Sequence, residues 1–421
     1  MSHSSKEKIF IGSFIHSNEC GELIVIDRGM IHVKNGKISN IIINPNSNDE
    51  KNKNVIVLNN TQFLIPGFVD CHIHAVQLPN LGIGYDKELL EWLEHYTFPL
   101  EKKFIDEKFA EQVFNTVVKQ TIKSGTTTAC YFGSLYPKAS VILGQAVVNK
   151  GQRALIGKIS MNITHSDNYY ETTEESIINI SKFIEDLTKL NSPLIKPIIT
   201  PRFALSCDMT LMKKLGKLAK EKDLHVQTHV SENLDEIEAV KNMFPEYPSY
   251  TAVYDGAGLL THDEIALLNE RGTAIVHCPS SNTCLKSGLC DVQRLKSKSI
   301  KIGLGTDVSG GQSCSILDAM RSALQVSTHL SLIKENYKAL NYKDVFHVAT
   351  LGGAAALAMD NKIGNFEVGK EFDALVIDID ISDGLLNNLQ SSTLEERLQK
   401  FIYSGDDRNI VEVYVSGRKV K

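Results

Sequence analysis

A chain of 421 residues has room for one barrel-sized domain and a smaller one. Hydrophobic residues at 42% and charged residues at 23% fit a globular protein in water. A net charge of −5 gives no general attraction to nucleic acid or to an anionic membrane, so a small-molecule partner is expected. No apolar run is long enough to span a bilayer, and residues 1–8 lack the apolar core of a secretion signal. A cytosolic location is therefore expected. Cys278, Cys284 and Cys290 are not arranged in close CxxC pairs, and the cysteines are read as reduced thiols.

In chain order, β-rich runs at residues 9–14, 23–26, 31–33 and 38–43 alternate with turns marked by Gly and Asn. Residues 46–53 are polar and read as a loop. Short apolar strands then alternate with amphipathic helices. The strands are expected at 63–72, 126–132, 154–161, 197–205, 225–230, 273–277 and 300–306. After Thr210, Leu211, Leu215 and Leu218 repeat with a period near 3.6 and predict a helix. Strand–helix alternation predicts a parallel sheet with crossovers, here seven barrel-like strands, one short of a closed eight. Residues 374–377 and 411–415 return to the β texture, and Gly417 marks a turn. The reading is an α/β fold: a TIM-type (β/α)8 barrel over 66–368, lacking one strand, with a small β-rich domain formed by 1–65 and 369–421.

The first barrel strand ends in Asp70-Cys71-His72-Ile73-His74. Side chains two apart on a strand share a face, so His72 and His74 can both point to the barrel axis, where paired imidazoles suit a divalent metal. Two surface histidines are the competing reading of a bare His-x-His. The preceding Pro66-Gly67-Phe68-Val69-Asp70 argues for the metal, because the whole run resembles the metal-binding signature of the amidohydrolase superfamily. His229-Val230-Ser231-Glu232 resembles the fifth barrel strand of its deaminases, and Gly303-Leu304-Gly305-Thr306-Asp307 resembles the eighth. The structural alternatives are a core histidine followed by a Ser-Glu helix cap, and a turn aspartate before Ser309-Gly310-Gly311.

The resemblance implies a site for one Zn2+ per chain held by His72, His74, His229 and Asp307. Zinc-bound hydroxide would attack an amidine carbon. Glu232 would carry protons to a ring nitrogen and to the leaving ammonia, and Asp307 would accept a hydrogen bond from the bound water; both are expected to be catalytic. Longer runs resemble guanine deaminases in particular: residues 72–77, 90–93, 96–99, 125–132, 200–207, 364–373 and 405–409. This implies hydrolysis of guanine to xanthine and ammonia, with guanine and water as the reactants and a homodimer as the assembly. The expected substrate contacts are His74, Gln77, Arg202, Phe203, His229, Glu232 and Asp307. Arg202 suits the O6 and N7 edge, with a salt bridge to a barrel-mouth carboxylate as its competing reading. Gln77 offers an amide to the other edge, and Phe203 a stacking face. Trp92 is read as core or lid.

The family's sixth strand, which ends in His-Gly, has no counterpart between Leu260 and Asp263. Either residues 250–254 enter the gap or the barrel is distorted. Thr261 and Glu264 form a capping pattern that puts His262 in a first helical turn with a surface role. His277 is read as structural, or as a group behind the ligands. The missing strand leaves two alternatives to an active guanine deaminase: an impaired or non-enzymatic scaffold of the same fold, and a deaminase of another purine, a pyrimidine or a triazine.

Overall fold

In the computed structural model of the chain, which describes residues 7–46, 54–163, 168–230, 232–244, 262–386 and 389–421, five strands come first. They are β1 (Glu7–Ser17), β2 (Leu23–Lys34), β3 (Lys37–Ile43), β4 (Val55–Val57) and β5 (Gln62–Pro66). Next come β6 (Phe68–His74), β7 (Thr126–Phe132), β8 (Arg153–Gly157), β9 (Ile159–Ser160), β10 (Ile195–Pro197), β11 (Thr200–Pro201), β12 (Ile275–His277) and β13 (Ile302–Leu304). The last three are β14 (Ala374–Asp378), β15 (Ile410–Val415) and β16 (Arg418–Lys419).

Strands from both ends of the chain share one sheet, in the order β16-β15-β14-β5-β1-β2-β3, with β4 also paired to β1. Alternation along β1 puts Phe10 and Phe14 into an apolar layer with Phe366, Phe372 and Tyr414. Phe10 stacks on Phe372 at 4.6 Å and meets Tyr414 edge-on at 5.0 Å. Antiparallel β14 runs beside β5, with Ala374 opposite Pro66. That pairing brings the C-terminal segment to the start of β6.

The second layer is parallel. β6, β7, β8 and β10 are neighbours in that order, and β9 and β11 continue β8 and β10 after short breaks. Helices Glu107–Lys123, Pro137–Lys150, Thr173–Lys189 and Met209–Lys222 lie between or after these strands, as the alternation predicts. In the last helix Leu211, Leu215 and Ala219 are buried, with Asp208 as N-cap accepting from Leu211 N at 2.7 Å. β12 pairs with β13, and the segment after β13 returns to β6: Asp307 N donates to His72 O at 2.9 Å and His74 N to Val308 O at 3.1 Å.

The strand expected at 225–230 is reduced to a single bridge, Val226 to Ile199. Among the described residues, two helices, Leu234–Met243 and His262–Glu270, and no strand lie between that bridge and β12. Val226 is 53% and Val230 42% exposed, which is unusual for the wall of a parallel barrel. His262 begins its helix, as expected, whereas Thr261 and residues 250–254 lie outside the described residues.

Arg153 on β8 ties the parallel layer to the terminal sheet. It is buried, donates to Thr128 Oγ1 and Asp373 Oδ1 at 3.1 Å each, and also pairs with Glu371. Asp373 in turn accepts from Ser416 N at 2.8 Å. Arg153→Ala strands the buried Asp373 carboxylate without its counter-charge. The expected loss is about 3–5 kcal/mol in urea unfolding. A loss below about 1 kcal/mol would mean that the two layers do not depend on this pair.

Candidate active site

Every residue of β6 is buried. Asp70, His72 and His74 lie two apart, and Asp70 binds the strand end to the last barrel segment. Its Oδ1 accepts from His72 N at 3.2 Å and Thr306 N at 3.1 Å, and its Oδ2 accepts from Thr306 Oγ1 at 2.6 Å. Burial pushes the Asp70 carboxyl up to about 7 against those hydrogen bonds. Gly305 permits the close approach, since a Cβ there would sit 2.8 Å from His72 Cβ and from Cys278 Sγ. Asp307 follows in a left-handed conformation, φ 47°, rare for a residue with a side chain and frequent where function requires it.

The four expected donors come together. His72 Nε2 is 3.0 Å and His74 Nε2 3.5 Å from Asp307 Oδ1, and His74 Nε2 is 2.9 Å from His229 Nε2. All four donor atoms lie within 4.8 Å of one another. His229 Nδ1 is 2.7 Å from the Arg202 carbonyl; donating there, it turns the Nε2 lone pair inward. Burial, then His229 and His72, lower the His74 pKa well below the usual value. Burial, then His72, lower His229 to about 3. Burial would raise Asp307, but the charge and hydrogen bond of His72, with His74 and His229, hold it well below the carboxylate range. Three imidazoles and a carboxylate with ligand atoms this close are a donor set that suits a divalent cation, so the residues fit one.

A cavity of about 410 Å³, partly open to solvent, stands over this cluster. Glu232 lines it, with Oε1 buried and without a hydrogen-bond partner among the described residues. Burial, then the Asp307 and Glu236 charges, push the Glu232 carboxyl well above its usual value. Phe203 and Trp92 form apolar wall, and Trp92 Nε1 donates to Ile83 O at 2.9 Å, so this residue is both core and cavity wall.

Arg202 faces the cavity and also forms the salt bridge given as its competing reading. It grips Glu101 with both terminal nitrogens, at 2.5 and 3.0 Å, and lies 4.8 Å from the Phe98 ring centroid. Gln77 donates to Glu101 at 3.1 Å and accepts from Ser309 N at 3.2 Å, so both ends of its amide are engaged. Tyr169 Oη donates to Glu101 at 3.0 Å. His277 ends β12 buried, with neither ring nitrogen hydrogen-bonded among the described residues; burial lowers it to about 4, and it is not among the residues lining the cavity.

Sequence reasoning missed Glu101, Asp70 and Glu236. Glu236 lines the cavity one helical turn after Glu232. The signals were modest. Glu101 lies two residues beyond a singled-out run, Asp70 is on the same strand face as the histidines, and Asn233 to Glu236 has capping-box spacing.

The chain matches the amidohydrolase family over residues 63–420. It is 45% identical over 438 aligned positions to the guanine deaminases of Mus musculus and Homo sapiens, covering 98% of this chain and 96% of each relative. The alignments are longer than this chain, so the relatives contain residues that it lacks. Among solved structures, guanine deaminase from C. acetobutylicum with bound guanine superposes with a TM-score of 0.90 at 35% identity, covering 99% of this chain and 100% of that one.

Proposed function

The chain belongs to the amidohydrolase family, and we propose from that premise that it is a guanine deaminase, converting guanine and water to xanthine and ammonia. The observation that carries the reading is half-buried Glu232, one carboxylate oxygen of which is buried, facing a cavity over four convergent metal donors, in a chain so similar to guanine deaminases. One zinc ion per chain suits three imidazoles and one carboxylate, and no second donor group occurs among the described residues. Bound there, the ion supplies the Lewis acidity that makes water nucleophilic near neutral pH.

Attack of water at C2 of guanine moves the C2=N3 electron pair onto N3, because N1 already carries hydrogen. Glu232 takes a proton from the attacking water and gives it to N3. It then moves the remaining hydroxyl proton to the 2-amino group, the C2–N bond breaks, and ammonia leaves as C2=O forms. A carboxylate whose proton affinity is raised by burial serves both halves of this transfer. Asp307 accepts a hydrogen bond from the attacking water. Arg202 keeps N–H donors beyond those gripping Glu101 and directs them at O6 and N7. Phe203 stacks on the base, and Gln77 contributes its second N–H.

In this reading residues 66–368 are the catalytic barrel, without the sixth strand and its histidine, and 1–65 with 369–421 form the β-rich unit. The protein is a cytosolic homodimer; among the described residues no helix is long and apolar enough to cross a membrane. The scaffold and other-substrate alternatives have less support, given the complete donor set and the identity of the relatives.

Zinc-loaded protein is expected to consume guanine and to release xanthine and ammonia in equal amounts. Turnover of another aminated ring, with guanine untouched, would overturn the reading. Chelator-stripped protein should take up one equivalent of zinc, gain about 4 kcal/mol of stability from it at a thousand times Kd, and melt at a higher temperature. His229→Ala should lose this uptake, and binding of two equivalents would contradict the site. Glu232→Gln should keep the zinc and lose roughly 10²–10⁴-fold in kcat; near-normal turnover would assign the proton to another group. Arg202→Ala should lose more kcat/KM on guanine than on 2-aminopurine, which lacks O6. Equal losses would make Arg202 purely structural.

A further inference from the structure

Glu236 is fully buried in the first turn of helix Leu234–Met243 and lines the same cavity as Glu232. Its Oε2 accepts the Glu232 backbone N–H at 2.7 Å, and its own N–H donates to Asn233 Oδ1 at 2.8 Å. A capping role is complete with that one oxygen. The other, Oε1, is buried and has no hydrogen-bond partner among the described residues. Burial raises the Glu236 carboxyl to about 7, and a donor from a bound molecule would favour its ionised form and fill the open oxygen.

Guanine supplies that donor on a definite edge. With C2 over the metal donors and O6 and N7 toward Arg202, N1–H lies on one side of C2, and N3 and N9–H lie on the other. Glu232 serves N3. The carboxylate fixed to the Glu232 backbone stands beside it, and the ring donor next along this edge is N9–H. We propose that Glu236 is a specificity-determining residue, accepting the N9–H of a free purine base and rejecting bases substituted at N9. A sugar or alkyl group at N9 removes the donor and presses on the carboxylate, so nucleosides are excluded by the same contact. The proposal rests on the guanine deaminase reading.

The test compares kcat/KM for guanine and for 9-methylguanine in the zinc-loaded chain and in Glu236→Gln, with melting curves for both. The unsubstituted chain is expected to prefer guanine by about 100-fold or more. Glu236→Gln keeps an acceptor for the Glu232 N–H but presents an amide donor to N9–H. It should cut the preference by about tenfold or more, chiefly by raising KM for guanine. Should Glu236→Gln fail to fold, Glu236→Asp, which withdraws the acceptor by one methylene, is expected to lower the ratio in the same direction. An unchanged ratio, with both substrates losing equally, would reduce Glu236 to a backbone clamp and overturn the proposal. So would equal turnover of the two bases by the unsubstituted chain. No guanine turnover at all would overturn the deaminase reading, and this proposal with it.

Discussion

The buried pair of Arg202 and Glu101 organises the mouth of the barrel. Two opposite charges out of water are stable together only when their geometry is good and further hydrogen bonds reach them. Glu101 also accepts from Gln77 and Tyr169, so residues far apart in the chain converge on one carboxylate. The Arg202 backbone extends the effect to the metal donors, because its carbonyl accepts from the backbone N–H of His229 at 3.1 Å and faces the ring Nδ1. One residue thus fixes the helical segment over the cavity with its side chain and aims a ligand imidazole with its main chain. Removing the charge at position 101 would disturb both.

Several carboxylates share this small, poorly solvated volume, and their surroundings separate them. Asp307 lies against three imidazoles and stays ionised. Glu232 has no such neighbour and faces the charges of Asp307 and Glu236, so its proton is held more tightly. Like groups with opposite proton affinities are what a site needs to bind a cation with one and shuttle protons with another.

Much of this was legible from local pattern. The two-residue period of a strand put His72 and His74 on one face, and they meet as expected. The 3.6 period of Leu211 and Leu215 announced a helix, and the β-rich runs at both chain ends are strands. Local pattern is silent where a side chain's partner is distant. Arg202 could be read as base contact or salt bridge because Glu101, its partner, is 101 residues away. Glu236 was not singled out, because its burial follows from packing over the barrel mouth. Residues 225–230 have strand composition but bridge only to Ile199 among the described residues, and composition does not record which neighbours a segment finds.

That one-sided segment carries His229. His72, His74 and Asp307 belong to chain segments bonded directly to each other, and Asp70 to Thr306 reinforces the seam. The backbone around His229 is bonded only to residues 199–202 among the described residues, with the Gln227 side chain reaching Cys130 and Tyr131, and it lies beside the exposed Val226 and Val230. Three donors are therefore built into the frame, and the fourth is mounted on its loosest edge. An ion held by all four would act as a rivet through that edge, so metal occupancy and the placing of the segment that carries His229 would be coupled.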